Sequence, residues 1–172
     1  MSPLITLITI VNISYFMMTA KFPDVVGDNL NKKTIRIPSE LQGEYNILLV
    51  PFQMWQQSLV DSWVPFLVHL TENNSQFDFY ELPTIRKMNF FIRNMIDSGM
   101  RGGIPSRDTR ARTVTLYIDK ATFKKALEIP TEDTLYLYLV DREGTIYWTE
   151  SGGISDTKAT SLENAMKKLL NE

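Results

Sequence analysis

Apolar residues recur along this chain in two rhythms. Thr34-Ile35-Arg36-Ile37 alternates polar and apolar, the pattern of a half-buried strand. Tyr45-Asn46-Ile47-Leu48-Leu49-Val50-Pro51-Phe52 is nearly all apolar, which predicts a central parallel strand covered on both faces. Phe77-Asp78-Phe79-Tyr80-Glu81-Leu82 alternates again, and residues 113–118 predict a further strand. The second rhythm is helical. Trp55, Leu59, Trp63, Phe66, Leu67 and Leu70 recur at spacings of three and four and mark one apolar face. Pro65 lies within that helix and removes the bond to the Asp61 carbonyl, so a kink is expected there. Residues 87–96 predict a helix ending near Gly99, followed by a Gly/Arg loop from Gly99 to Arg112. Residues 120–127 predict a short helix, stopped by Pro130. Residues 135–140 and 145–148 flank Asp141-Arg142-Glu143-Gly144, a strong hairpin turn. Ser161 is expected to cap a last helix running to Leu170. This order implies an α/β sandwich: a mixed central sheet, helices on both faces, and a C-terminal β-hairpin.

Composition narrows the chemistry. The 172 residues suggest one folded domain, assigned to 21–172. A formal net charge of -2 excludes the basic footprint of a nucleic-acid binder. There is no cysteine. Thiolate is the nucleophile of thiol redox chemistry, so disulfide exchange and thiol-dependent peroxidase activity are excluded. The single histidine, His69, rules against a zinc site built on His and Cys, and no metal or cofactor is expected. Residues 1–20 are apolar and carry no charged side chain. They read as an export signal or membrane anchor, or as an upstream extension if Met17 or Met18 is the true start. The late start is preferred, and with it a cytoplasmic protein.

Three landmarks make the chain resemble the thioredoxin-like superfamily, in its extracytoplasmic-reductase and peroxiredoxin-like branch. Phe22-Pro23-Asp24 resembles that branch's opening. The strand ending in Phe52 leads into a helix with Pro65 about two turns later, as the redox helix does. Leu139-Val140-Asp141-Arg142-Glu143-Gly144-Thr145-Ile146 resembles its hairpin. Counting from Phe52 and from Pro65, the resemblance places Gln57 and Val60 where the two thiols would stand, and Leu135 where a cis-proline would stand. Gln57-Ser58-Leu59-Val60-Asp61-Ser62-Trp63 is similar to a pattern of the mitochondrial ATP synthase assembly factors, as are Tyr80-Glu81-Leu82, Ile104-Pro105 with Arg107, and Gly144-Thr145-Ile146-Tyr147-Trp148. The resemblance implies a redox-inactive assembly factor or chaperone with a protein partner.

The candidate binding residues form three groups. Trp55, Gln56 and Gln57 begin the helix, whose free amides and dipole favour an anion or a peptide, with an inert helix start as the alternative. Asp61 and Trp63 could form a recognition patch, or bond at the kink and fill the core respectively. Arg101, Arg107, Arg110 and Arg112 could grip a phosphate or carboxylate, or lie solvated in a mobile loop. Glu81 is expected to ion-pair with those arginines. The leading expectation is a protein-binding module and not an enzyme. The alternative is a small-anion or nucleotide-binding protein, or a non-thiol enzyme, using the arginine-rich segment, with Arg101, Glu81 and Asp61 meeting beyond the carboxyl ends of the strands.

Overall fold

The computed structural model describes residues 21–171. The readings of residues 1–20 lie outside them. In chain order come β1 (Val25–Asn29), β2 (Thr34–Ile37), β3 (Tyr45–Val50), a 3-10 turn (Met54–Gln56), α1 (Gln57–Asn73), β4 (Phe77–Glu81) and β5 (Thr84–Arg86). Then follow α2 (Phe90–Gly103), α3 (Arg107–Arg112), β6 (Val114–Ile118), α4 (Lys120–Ala126), β7 (Tyr136–Asp141), β8 (Ile146–Ser151) and α5 (Asp156–Leu170).

The continuous apolar run of β3 puts it at the centre. Ile47, Leu48, Leu49 and Val50 are fully buried. Side chains alternate along a strand. Ile47 and Leu49 therefore enter one core with Val60, Trp63 and Leu67 of α1 and Leu162 and Met166 of α5. Leu48 and Val50 enter the other core with Leu116 of β6 and Phe123 of α4. Helices thus cover both faces, as the pattern predicts. Strand β3 runs parallel to β4 and antiparallel to β7, which continues to β8. A second group has the order β2-β1-β6-β5. The two groups join through β4 and β5. Leu82 donates to Leu49 of β3 and Thr84 to Pro51 just beyond it, while the Pro83 carbonyl accepts from Leu116 of β6. The bridge Glu81–Thr113 keeps the same offset as Thr84–Leu116, so β4 and β5 behave as one interrupted strand.

The hairpin turn forms as its sequence predicts. Gly144 has φ +83 and donates its N–H to Asp141. A side chain there would meet both that left-handed backbone and the Phe22 carbonyl, 2.8 Å from an added Cβ.

Several elements differ from expectation. Helix α2 runs through Gly99 to Gly103, because isolated glycines lower helix stability by only about 1 kcal/mol and Asn89 caps the start by accepting from Ile92 N–H. The expected loop is in part helix α3, capped by Ser106 and with Asp108 in its first turn. The last helix begins five residues before Ser161. Ser155 is its cap, accepting from Lys158 N–H, and Ser161 instead takes a bond from Trp148 Nε1 at 3.0 Å. Helix α1, as expected, continues through Pro65. Strand β5 was missed because Pro83 interrupts its pattern.

Candidate functional site

The start of α1 is built by one side chain. Gln56 is fully buried at the end of the 3-10 turn. Its oxygen accepts from the Phe52 and Gln53 N–H groups at 2.7 and 3.3 Å, and its nitrogen donates to the Glu132 carbonyl at 2.7 Å. Gln56 therefore ties the end of β3 to the chain before β7, a structural use of a residue predicted for binding. A Gln56→Leu variant strands three backbone groups. It is expected to lose about 3 kcal/mol in urea unfolding, the low end for three groups when each unsatisfied buried group costs about 1–3 kcal/mol.

Gln57 and Val60 then point to different places. Gln57 is exposed at the first residue of α1, whereas Val60 is fully buried against Trp63 and Leu67. Trp63 is fully buried as well and donates from Nε1 to the Gly152 carbonyl at 2.9 Å. Trp55 is 58% exposed in the 3-10 turn. Leu135 is fully buried, and the cis peptide among the described residues is elsewhere, at Ile37–Pro38.

Beside Gln57 opens a cavity of about 480 Å³. Phe52, Met54, Pro83 and Ile85 form one wall, and Met95 and Met100 of α2 the other. Its charged lining residue is Glu81. Burial raises the Glu81 carboxyl from an ordinary 4.5 to about 7; the negative charge of Asp61 adds to the rise, and the Gln57 side chain opposes it. Asp61 is exposed and accepts from Gln57 Nε2 at 3.0 Å. Met95 and Met100 read from sequence as core or interface packing, but their joining with Phe52, Pro83 and Ile85 in one cavity did not show. The available signal was Met95, Ile96, Gly99 and Met100, which share one helical face.

The arginines do not meet at this cavity. Arg101 Nε donates to the Leu30 carbonyl at 2.8 Å. Arg112 Nε donates to Asp78 Oδ1 at 2.9 Å, with its guanidinium 5.1 Å from the Phe79 ring centre. Arg107 is exposed, and its carbonyl accepts from Asn31. Arg110 Nε is buried without a hydrogen-bond partner. Arg107 and Arg112 line a separate groove with Asp78 and Tyr80. The expected pairing of Glu81 with these arginines is therefore corrected to Asp78. The cause is strand alternation: Phe77 and Phe79 enter the α1 core with Glu81 on their side, while Tyr80 enters the other.

A mixed sheet with helices on both faces, a helix springing from the end of its central strand, and a C-terminal hairpin define a thioredoxin-like protein, here without cysteine. Solved structures agree at the level of fold. The exposed lipoprotein thioredoxin Etrx1 of Streptococcus pneumoniae is 14% identical with TM-score 0.53, covering 84% of this chain and 99% of that one. The thioredoxin domain of a Bacteroides vulgatus thiol-disulfide oxidoreductase is 15% identical with TM-score 0.53, covering 85% and 95%. BsSco, of the Sco family of cytochrome c oxidase assembly proteins, is 11% identical with TM-score 0.55, covering 86% and 94%. The chain belongs to the ATP10 protein family of ATPase assembly factors, whose profile matches residues 9–169. No curated protein matches its sequence.

Proposed function

We propose that this chain is a non-redox binding module that holds a protein partner during assembly of an ATPase complex. The observation that carries this reading is the apolar cavity beside Gln57, at the start of α1, where the resemblance places the fold's first thiol. Its rim is open to solvent: Met54 is 96% exposed and Met95 71%. Apolar surface of this kind marks a docking site more often than idle surface. Trp55, Gln57, Asp61 and Glu81 are the predicted residues that lie at or beside it. Family membership supports the assembly role, and the mitochondrial setting that the resemblance implies favours that compartment over the cytoplasmic expectation. Among the described residues no helix is long and apolar enough to cross a membrane. Support for a small-anion site is thinner. Arg101 and Arg112 already hold Leu30 and Asp78, which leaves Arg107 and Arg110.

Plugging the cavity tests the reading. An added Cβ at Gly99 meets nothing within 4 Å, and removal of a helical glycine favours α2. Gly99→Phe therefore sets a ring on the cavity wall without disturbing the fold. In cells lacking the gene, the wild-type chain is expected to restore assembled ATPase on native gels, and Gly99→Phe at equal protein level is expected not to. Full restoration by Gly99→Phe would sink the reading.

A further inference from the structure

The cavity beside Gln57 has a charge bias that its apolar walls conceal. Among the described residues no Lys, Arg or His lines it. Several partly or largely buried carboxylates elsewhere in the fold have cations: Asp28 pairs with Arg93, Asp78 with Arg112, Glu132 with Lys120 and Lys124, and Glu150 with Lys158. Asp97 and Asp141 have tyrosine hydroxyl donors instead, from Tyr117 and Tyr147. Glu81 has no cation, and neither does Asp61, although the two carboxylates are close enough for one to disfavour ionisation of the other. The polar group between them is the Gln57 amide, a neutral donor. A buried carboxylate is normally paired. This one faces an open cavity that no basic side chain among the described residues lines.

We propose that the cavity receives a partner segment in which one Lys or Arg is carried among apolar residues, its cation meeting Glu81 and Asp61 while its stem and neighbours pack on Met54, Pro83, Ile85 and Met95. This deepens the docking reading above and rests on it. Basic side chains suit such a place because an apolar stem carries the charged head. The same two carboxylates oppose the anion that the start of α1 was expected to attract. A wholly apolar segment would bury Glu81 further without a partner, which costs free energy. Binding of a cation requires the ionised carboxylate, so where Glu81 is still protonated, below about pH 7, a proton leaves as the cation arrives. Asp61 on α1 is the titratable group facing Glu81; β5 and α2 bring none to the cavity.

The test uses the whole chain and two fluorescein-labelled peptides. Both carry an apolar stretch with soluble ends; one has a central arginine and the other citrulline, its neutral isostere. Fluorescence anisotropy at pH 8 is expected to show the arginine peptide bound about tenfold more tightly, between the small effect of an exposed ion pair and the larger one of a fully desolvated pair. Glu81→Gln should bring the two peptides close to one affinity. Arginine-peptide affinity should fall from pH 8 to pH 6 in the wild type and stay level in Glu81→Gln. Gly99→Phe should weaken both peptides, which locates them in the cavity. Equal binding of the two peptides by the wild type overturns the cation preference while the docking reading stands. Binding of neither peptide also overturns it. Failure of docking itself is read separately, from intact assembly with Gly99→Phe.

Discussion

Trp63→Ala is expected to lose about 4–6 kcal/mol of folding free energy, the largest single-residue effect foreseen for this chain, with about 3–5 from the emptied core and about 1 from the lost hydrogen bond. The indole is fully buried, with ring centres 6.3 Å from both Phe66 and Trp148. Its Nε1 donates to Gly152, just past β8. Ser62 works beside it, donating to Leu59 at 2.6 Å and accepting from Ile154 N–H at 3.1 Å. Together these two residues fasten α1 to residues 152–154, ahead of α5. Trp63→Phe keeps most of the ring but leaves the Gly152 carbonyl bare, and a loss of about 1–2 kcal/mol is expected. Urea unfolding followed by circular dichroism separates the two variants. An alanine loss below 1 kcal/mol would mean that this tryptophan is free for recognition and not committed to the core.

Glu81→Gln is expected to stabilise the protein, and only above neutral pH. Burial and Asp61 raise the carboxyl from 4.5 to about 7. A folded-state value above the unfolded one means that the native state binds the extra proton between those two values. Stability from that proton is complete below pH 4.5 and is lost as pH rises through about 7. At pH 8 the wild type carries an ionised, unpaired carboxylate that the amide variant lacks. The difference is at most on the order of 3 kcal/mol, equivalent to roughly 6–12 °C in melting temperature for a chain of this size. Thermal melts at pH 8 and pH 5 check it: the gain should be present at the first and absent at the second. A gain of equal size at both would show that the proton is not involved. A residue that weakens the fold at the pH where it binds best is a recognised mark of functional sites.

Legibility followed locality. Strand β3 was readable because burial on both faces leaves an uninterrupted apolar run. The hairpin was readable because Asp141-Arg142-Glu143-Gly144 carries its turn chemistry locally. The start of α5 was not, because Ser155 and Ser161 are equally good caps in isolation; the hydrogen bond from Trp148 to Ser161 belongs to packing. Gly99, Gly102 and Gly103 suggested a break, yet they sit in helical backbone. At the candidate site, Glu81 and Asp61 were both picked out, and their meeting at that end of the sheet was expected from the order of elements, with Arg101 as a third member. Arg101 instead holds the Leu30 carbonyl, because α2 carries it away from the end of β4, which no local pattern encodes. Arg112 reaching Asp78 was hidden for the same reason.

Sulfur persists in this chain only as thioether. Met54 and Met95, the two highly exposed methionines on the cavity wall, are where peroxide meets it most openly. Conversion to sulfoxide makes an oily, flexible side chain polar and chiral. Oxidative stress would thus wet the lips of the cavity and loosen whatever rests there, a lesion for methionine sulfoxide reductases to reverse.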